Sequence, residues 1–312
     1  MRIVVITGAL GFSGRRLVRH LRVREPSHLI GIDLGLPQAS KVELDEYLTV
    51  DLSDSAAVRT ALRNSRPDWI FHLASTNHGT ASDIYRANLL GGINLLEWAR
   101  AEAPAARMLI VGSAAEYGYP EQPGQALDEQ SPCRPRTPYG RTKLAVTHAA
   151  LDYAADGMRV VVARPFNLIG AGIPARMLVG TVLRQMAASR PACAPISVRL
   201  GNIDTERDFL SIDDAVGAYV DLLRGDYWGE IFNICSGEPV PIRRILEKLV
   251  AMAPGPIRIE SDPARFRTSD PPRVYGSLAK AREAFGFHPT TSLDESLFAA
   301  WKEHMSEATR CA

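Results

Sequence analysis

The stretch from Arg2 to Gly14 reads RIVVITGALGFSG, an apolar run that passes directly into a glycine-rich turn. The run is apolar at nearly every position, which is typical of a strand buried on both faces of a parallel sheet. Glycines in the turn let backbone N–H groups approach a pyrophosphate at the positive end of the helix that follows. The stretch therefore predicts a dinucleotide site formed by Gly8, Gly11, Phe12, Ser13 and Gly14.

A carboxylate closes the second apolar run. Asp33 follows Gly14 by 19 residues, at the end of the run that starts at His28. In dinucleotide-binding units a carboxylate at this place accepts both hydroxyls of the adenine ribose and repels a 2′-phosphate. We therefore expect NAD as the cofactor, with NADP possible.

Strand-like runs and helical segments alternate through the first half of the chain. The predicted strands are Arg2–Thr7, His28–Asp33, Trp69–Leu73, Met108–Gly112 and Val160–Ala163. The predicted helices are Phe12–Val23, Ser55–Asn64, Ile84–Arg100 and Tyr139–Ala155. This alternation predicts an α/β fold with a Rossmann-type doubly wound parallel sheet.

The second half of the chain has a different pattern. Past Gly170 the spacing becomes irregular and prolines become more frequent, which predicts a smaller C-terminal α/β region that covers the substrate. We expect residues 1–168 to form the dinucleotide-binding domain, with residues 207–236 returning to it, and residues 169–312 to form the substrate-binding region.

Composition excludes several classes of protein. The 312 residues carry 36 Lys plus Arg against 35 Asp plus Glu, a net charge of +1, with 46% apolar and 23% charged residues. This near-neutral balance gives no reason to expect a nucleic-acid or membrane partner. No apolar run approaches the roughly 18 residues that span a bilayer. The cysteines show no metal-ligand spacing, so we expect a cytoplasmic protein without a metal site; they are Cys133, Cys193, Cys235 and Cys311.

Tyr139 and Lys143 are one helical turn apart in the stretch YGRTK. A free phenol has a pKa of about 10, too high for ready proton exchange at neutral pH. A nearby ammonium ion stabilises the phenolate and lowers this pKa, which predicts Tyr139 as a general acid or base. Ser113 follows the strand Met108–Gly112, at the sheet edge where doubly wound folds bind ligands. Its hydroxyl can stabilise charge on a substrate oxygen.

These residues are part of a larger set of motifs. Together they resemble the extended short-chain dehydrogenase/reductases of the NAD-dependent epimerase/dehydratase family, which act on nucleotide-linked sugars. The resemblance covers nearly the whole chain. Its further motifs are Asp51 and Leu52; His72 to Ser75; Asn88 and Gly91; Ser113 to Gly118; Arg164 to Asn167; Arg207 to Phe209; Asp213 and Asp214; and Phe232 to Ile234.

The resemblance implies a role for each group of residues. Ser113, Tyr139 and Lys143 would form the catalytic triad. The cofactor would also contact Asp51, Leu52, Leu73, Ala74, Ser75, Asn88, Tyr139, Lys143 and Pro165. Asn167 and Arg207 would hold the phosphates of the nucleotide sugar, and the fork of a guanidinium does match phosphate oxygens. In members of the family, two helices that correspond to Ile84–Arg100 and Tyr139–Ala155 pair across a homodimer contact.

The residues after Ser113 bear on the type of reaction. Dehydratases of this family carry a further carboxylate-containing acid–base pair directly after the catalytic Ser or Thr. Here those positions are Ala114 and Ala115, which cannot transfer protons. Dehydration is therefore not expected. Glu116 is one place further along, and we expect it to be structural.

Two late stretches are similar to one subgroup, the GDP-4-keto-6-deoxy-mannose reductases, which make GDP-rhamnose. The first extends from Arg164 to Gly170 and the second from Asp262 to Ser277. In that subgroup, the arginine matching Arg267 contacts the diphosphate and the acidic residue matching Asp270 takes the nucleotide ribose. The sequence departs from the subgroup at Leu168, Ala171 and Ile173, where His, Pro and Gln are usual, and these positions line the sugar site.

The predicted reaction is hydride transfer from NAD(P)H to the C4 keto group of a nucleotide-linked 4-keto-6-deoxy sugar. The alternative is an NAD-dependent 4-epimerase of UDP- or GDP-hexoses, in which the same triad first oxidises C4. A third hypothesis is a non-catalytic dinucleotide sensor, but such proteins usually lose the tyrosine or the lysine. The nucleotide base and the sugar stay open at this point.

Overall fold

The computed structural model describes residues 1–35, 42–120, 124–188, 196–253, 255, 257–262 and 271–310. The first part of the chain alternates strands and helices. Its elements are β1 (Arg2–Thr7), α1 (Phe12–Arg24), β2 (Ser27–Asp33), β3 (Glu46–Thr49), α2 (Ser55–Ala61), β4 (Trp69–His72), α3 (Ala81–Ile84), a π-helical segment (Tyr85–Leu90), α4 (Gly91–Glu102), β5 (Arg107–Val111), a 3₁₀ turn (Ala114–Glu116), α5 (Pro138–Ala155) and β6 (Arg159–Pro165).

The second part has shorter strands. Its elements are β7 (Asn167–Ile169), α6 (Leu178–Ala188), β8 (Ile196–Leu200), β9 (Glu206–Ser211), α7 (Ile212–Arg224), β10 (Ile231–Ile234), β11 (Pro239–Pro241), α8 (Ile242–Ala251), β12 (Ile257–Ser261), β13 (Arg273–Val274), α9 (Ala279–Phe285) and α10 (Leu293–Arg310).

Seven strands form the main sheet, in the order β10-β6-β5-β4-β1-β2-β3, and each neighbouring pair is parallel. The chain moves outward from β1 to β3 and then resumes at β4 on the other side of β1. In such sheets this reversal opens a crevice at the carboxyl ends of the strands, where ligands bind. The predicted doubly wound fold is confirmed.

Both faces of the main sheet are covered because its strands are apolar throughout. In β1, Val4 and Ile6 face a core shared with α1 and α7, whereas Val5 faces a second core shared with α2, α4 and α5. All three side chains are fully buried. Successive side chains of a strand point to opposite faces, so one apolar run can fill two cores.

The smaller region is built on two further sheets. In one, β9 pairs with β7, β11 and β13; in the other, β8 pairs with β12. A third core lies between α6, α8 and α10 and includes Leu183, Leu246 and Leu297, all fully or almost fully buried. This region adjoins the crevice because β7 follows directly from β6.

The boundary between the two regions differs from our expectation at one point. Residues 207–211 belong to β9 and lie in the small sheet rather than the main one. The return to the main sheet begins with α7, which packs on α1, and ends with β10, which pairs with β6. The place beside β6 is taken by β10, so β9 pairs with β7 instead.

Candidate active site

The glycine turn after β1 is too tight for larger residues. Gly8 has a φ of +70°, and a Cβ there would lie 2.8 Å from the nitrogen of Ala74. A Cβ on Gly14 would lie 2.1 Å from the carbonyl oxygen of Gly8. Gly11 donates its N–H to that same oxygen, at 3.0 Å. The turn thus brings α1 and the end of β4 close to the backbone of β1.

Helix α1 begins at Phe12 without a side-chain cap, since Gly11 precedes it. The first N–H groups of a helix have no partner within the helix and carry partial positive charge. Those of Phe12 and Ser13 are therefore suited to an anionic group such as a diphosphate. The turn fits the phosphate portion of a dinucleotide, as the sequence predicts.

Asp33 lies at the end of β2, beside this turn. Its Oδ2 accepts the N–H of Leu10 at 2.9 Å and its Oδ1 accepts the N–H of Leu34 at 2.8 Å. Each carboxylate oxygen has a further lone pair, so the group can still accept ribose hydroxyls. The side chain therefore holds the turn and keeps acceptor capacity for the ribose hydroxyls that we expect it to bind.

Asp51 and Leu52 follow β3. Oδ1 of Asp51 accepts the N–H and the hydroxyl of Ser53, at 2.9 and 2.7 Å. These bonds lower the pKa of Asp51 against the effect of burial, and the guanidinium of Arg86, with Nη2 3.6 Å from Oδ2, adds to the lowering. Leu52 is buried where Gly91 allows close approach of the helix. An ionised carboxylate and an apolar wall are therefore adjacent here.

Residues 73–75 leave the end of β4 and cross the crevice. The N–H of Leu73 donates to the carbonyl of Thr7 at 3.2 Å, and that of Ala74 to the Thr7 hydroxyl at 3.3 Å. The Thr7 hydroxyl also bonds Nδ1 of His72 at 2.8 Å. Burial and the charge of Lys143 lower the pKa of His72 to about 3, so its ring is neutral at physiological pH.

The side chain of Asn88, which we expected to contact the cofactor, makes its hydrogen bonds to other residues of the protein. Its Nδ2 donates to the carbonyl of Thr76 at 2.8 Å and to Oγ1 of Thr142 at 3.0 Å, and its Oδ1 accepts the N–H of Thr76 at 2.7 Å. Both amide hydrogens are used. The side chain ties the segment after β4 to α5, and only a remaining lone pair of Oδ1 could reach a ligand.

The three predicted catalytic residues come together at the carboxyl ends of β4 and β5. Helix α5 begins at Pro138, capped by Thr137, whose hydroxyl accepts the N–H of Gly140 at 3.1 Å. Tyr139 is thereby held in the first turn, where the side chains of Ser113 and Ser75 lie near enough to its hydroxyl to lower the pKa of the phenol. Lys143 lies one turn later, with Nζ 5.8 Å from the centre of the Tyr139 ring.

The electrostatics differ from the sequence argument in one respect. Burial raises the pKa of Tyr139, and the polar side chains of Ser113 and Ser75 act on it in the opposite direction. Nζ of Lys143 donates to the carbonyl of Val111 at 2.7 Å, and burial lowers the pKa of Lys143 to about 8. The ammonium of Lys143 is thus directed to β5. We expected this ammonium to lower the pKa of Tyr139, but burial of the phenol raises that pKa instead.

Two charged residues act on the triad that we did not assign to it. Glu116 is fully buried and its negative charge raises the pKa of both Tyr139 and Lys143. Arg176, exposed just before α6, lowers the pKa of Tyr139. No pattern in the sequence marks Arg176, because it lies in an irregular segment. Glu116 sits in a recognised motif, but its burial is a tertiary property.

On the substrate side, Asn167 and Arg207 lie on the neighbouring strands β7 and β9. Nδ2 of Asn167 donates to the carbonyl of Asp208 at 2.8 Å, and Nη1 of Arg207 donates to those of Glu206 at 2.7 Å and Pro271 at 3.0 Å. Pro165 ends β6, immediately before this region. Arg267 and Asp270 lie outside the described residues.

Asp208 joins three segments below this surface. Its buried carboxylate accepts the N–H and hydroxyl of Ser236, both at 2.8 Å, the N–H of Gly237 at 3.0 Å and the N–H of Gly276 at 3.2 Å. A carboxylate that accepts four hydrogen bonds fixes the segments after β10 and β13 against β9. The motif containing Arg207 therefore has a structural member as well as a candidate ligand.

Within the described ranges, no helix is long and apolar enough to cross a membrane. The same residues contain no group of three or more His, Cys, Asp or Glu placed to hold a metal ion.

Comparison with known proteins identifies the family. The profile of the family described as "NAD dependent epimerase/dehydratase family" matches residues 4–235. The GDP-6-deoxy-D-mannose reductase of Pseudomonas aeruginosa is 30% identical over 97% of this chain and 98% of its own. The structure of RMD from that organism, complexed with NADPH, superimposes with a TM-score of 0.83 at 29% identity, over 98% of this chain and 100% of the other.

Other similar proteins are described as epimerases. A UDP-glucose 4-epimerase of Streptomyces lividans is 27% identical over 97% of this chain and 96% of its own. A putative epimerase from Burkholderia cenocepacia superimposes with a TM-score of 0.85 at 32% identity, over 100% and 99% of the two chains. The resemblance carried by the motifs is confirmed: this chain belongs to the NAD dependent epimerase/dehydratase family.

Proposed function

We propose that this protein is an oxidoreductase that reduces the C4 keto group of a nucleotide-linked 4-keto-6-deoxy sugar, converting GDP-4-keto-6-deoxy-mannose to GDP-rhamnose. The observation that carries the proposal is that Tyr139 lies close enough to Ser113 for the two side chains to interact, beside the dinucleotide turn. The two residues after Ser113 are alanines, so the dehydratase acid–base pair is missing. The similarity to a GDP-6-deoxy-D-mannose reductase over nearly the full length supports the sugar class.

The cofactor would lie along the carboxyl ends of the main sheet. The first N–H groups of α1 would take its diphosphate, Asp33 its adenine ribose, and Asp51 and Leu52 its adenine. Because Asp33 opposes a 2′-phosphate, we propose NADH as the preferred reductant. When bound, the cofactor supplies the hydride, and this chain supplies binding, orientation and the proton.

Tyr139 would supply the proton. Its raised pKa keeps the phenol protonated at neutral pH, so it can donate to the C4 oxygen as negative charge develops there. Ser113 would donate a hydrogen bond to the same oxygen. The phenolate left behind is stabilised by Ser75 and by the positive charge of Lys143, and solvent then returns the proton.

The nucleotide diphosphate would lie over β7 and β9. Asn167 is exposed there, and its Nδ2 donates to the carbonyl of Asp208. Arg207 and the exposed Arg176 are the cations that we propose for the diphosphate. Arg267 and Asp270 are proposed for the same ligand by resemblance alone.

The direct test is a reductase assay. Purified protein with NADH or NADPH and GDP-4-keto-6-deoxy-mannose is followed by loss of reduced-cofactor absorbance, and the product is identified by chromatography. We expect one reduced cofactor consumed per GDP-rhamnose formed. Tyr139→Phe should lose about 100-fold or more in turnover while binding NADH normally. Interconversion of UDP- or GDP-hexoses without added cofactor would instead establish the epimerase.

We also propose a homodimer in a reducing, cytoplasmic setting. Tyr85 and Leu90 are 39% and 43% exposed on the π-helical segment that packs beside α5. Two copies could cover these side chains by pairing the helices. Light scattering should give twice the chain mass, and Leu90→Glu should lower it. A monomer at assay concentration would contradict the pairing.

A further inference from the structure

A buried ion pair lies beneath the catalytic serine. Nε of Arg164 donates to Oε2 of Glu116 at 2.7 Å, and the two side chains are 3% and 0% exposed. Removing two charges from water costs about as much as their attraction returns, so such a pair is weak evidence of a stabilising role. The position of the pair beneath Ser113 points instead to a role in the active site.

Glu116 contacts Ser113 directly. Its Oε1 accepts the N–H of Ser113 at 2.8 Å, while the Ser113 hydroxyl accepts the N–H of Ala115 at 3.1 Å. This reciprocal arrangement closes the 3₁₀ turn after β5. Both carboxylate oxygens of Glu116 are occupied and none of the side chain is exposed, so it cannot act on a substrate itself.

Arg164 connects the pair to β10, the edge strand beside β6. Its Nη1 donates to the Tyr117 hydroxyl at 3.3 Å, and that hydroxyl donates to Oδ1 of Asn233 at 2.7 Å. Asn233 in turn donates from Nδ2 to the carbonyl of Leu127 at 2.9 Å. The pair thereby has a fixed position relative to β5, β6 and β10.

We propose that the Glu116–Arg164 pair is a positioning element of the reaction, which fixes the backbone of Ser113 and places one buried negative charge beside Tyr139 and Lys143. This inference rests on the proposed function for its assay of activity. Glu116 is the positioning residue, and Arg164 holds its carboxylate in place through the bond from Nε to Oε2. The charge favours the protonated phenol, which is the form that a reductase needs before each turnover.

The direction of the electrostatic effect supports this role. The Glu116 charge raises the pKa of Tyr139 and that of Lys143. Other groups also act on these residues or on Glu116 from several elements; they are His72 of β4, Arg164 of β6, Tyr219 of α7, and Cys133 and Arg176 of the connecting segments. Among these groups, Glu116 is the one that raises the pKa of two triad residues, Tyr139 and Lys143.

The test uses the pH dependence of kcat/KM for ketone reduction. Because the phenol must be protonated, kcat/KM falls at high pH. The position of this high-pH limb of the profile is set by the pKa of Tyr139 and by the groups around it. Glu116→Gln keeps an acceptor for Ser113 but removes the charge, so we expect the limb to move to lower pH by about one unit. Glu116→Asp keeps the charge but shortens the reach, so we expect about a tenfold loss of kcat with the limb unmoved.

Two further variants separate this role from simple destabilisation. Glu116→Gln combined with Arg164→Met leaves no unpaired buried charge, and its limb should move in the same direction as that of Glu116→Gln. Leu96→Ala removes a fully buried apolar side chain of the second core and no charge, so it should lower Tm without moving the limb. An unmoved limb in both Gln variants would overturn the inference.

Failure of the proposed function gives a different result. The ultraviolet difference titration between the protein and Tyr139→Phe reports the phenol without any substrate. In a Glu116→Gln background this titration should also move to lower pH. If the unaltered protein reduces no ketosugar but the titration moves, only the proposed function fails; if the titration stays in place, this inference fails.

Discussion

At the scale of single residues, Gly14 sets the approach of α1 to β1. A methyl group there would lie 2.1 Å from the Gly8 oxygen and 2.7 Å from Cα of Ala9. We expect Gly14→Ala to weaken NADH binding at least tenfold, since the turn must open and its N–H groups move. Fluorescence titration with NADH measures this. Gly217→Ala is the control, because a Cβ there meets only an ordinary contact at 3.8 Å.

His72 predicts how stability changes with acid. Its pKa is about 3 in the fold and about 6.5 in the unfolded chain, so below pH 6.5 the unfolded chain binds a proton that the folded one does not. Stability is therefore fully present above pH 6.5 and is lost as the pH falls towards 3. The loss from this group is about 2 kcal/mol at pH 5.

Urea unfolding at pH 7 and pH 5 checks this prediction. His72→Gln should show a smaller difference between the two pH values than the unaltered protein does. Lys143 does not contribute in this window, because its folded pKa of about 8 and its higher unfolded pKa both lie above it. Equal differences in the two proteins would contradict the assignment.

Sequence reasoning identified residues whose chemistry is local. The glycine turn and Asp33 could be predicted because short-range geometry and spacing define them, Tyr139 because it lies one helical turn from Lys143, and Ser113 because it follows a strand at the ligand-binding edge of the sheet. Glu116 was expected to be structural, as its burial agrees, but its partners and those of Asn88 could not be predicted, because they depend on which polar groups become buried together. That information appears only after the elements have packed.

At the scale of elements, the contact between α5 and the 3₁₀ turn sets the distance from Tyr139 to Ser113. A Cβ on Gly140 would lie 2.5 Å from the carbonyl oxygen of Ala115. Gly140→Ala should therefore push α5 away from the turn. We expect kcat to fall at least tenfold with little change in NADH affinity, as steady-state kinetics and cofactor titration would show. An unchanged kcat would mean that the helix adjusts freely.

The elements that we did not predict lack a strong periodic pattern. Strand β3 is four residues long and only half buried at the sheet edge, so it has no continuous apolar run. The helix predicted over Ile84–Arg100 begins at Ala81 and includes the π-helical segment Tyr85–Leu90. A π-helical turn shifts the apolar face by one residue, which a search at the period of 3.6 does not detect.

At the scale of the whole molecule, Asp208 joins the small sheet to the end of β10. Asp208→Asn would replace one acceptor oxygen by an NH₂ group and leave buried N–H groups without partners. We expect about 2 kcal/mol of lost stability and a higher KM for the nucleotide sugar, with NADH affinity retained. Thermal unfolding and steady-state kinetics provide the measurements. If NADH affinity fell as well, this would contradict the assignment of NADH to the main sheet and of the nucleotide sugar to the smaller region.

The order of strands also has a consequence for synthesis on the ribosome. Strand β6, whose centre is VVVA, can pair with β5 as soon as both have been synthesised. Its other edge stays unpaired until β10 has been synthesised, and β10 begins only at Ile231. Until then the nascent chain presents an open, hydrophobic strand edge, a template for association with other chains. A fragment that stops before β10 would keep that edge permanently. The chain must therefore be expressed through β10 to yield a main sheet that does not aggregate.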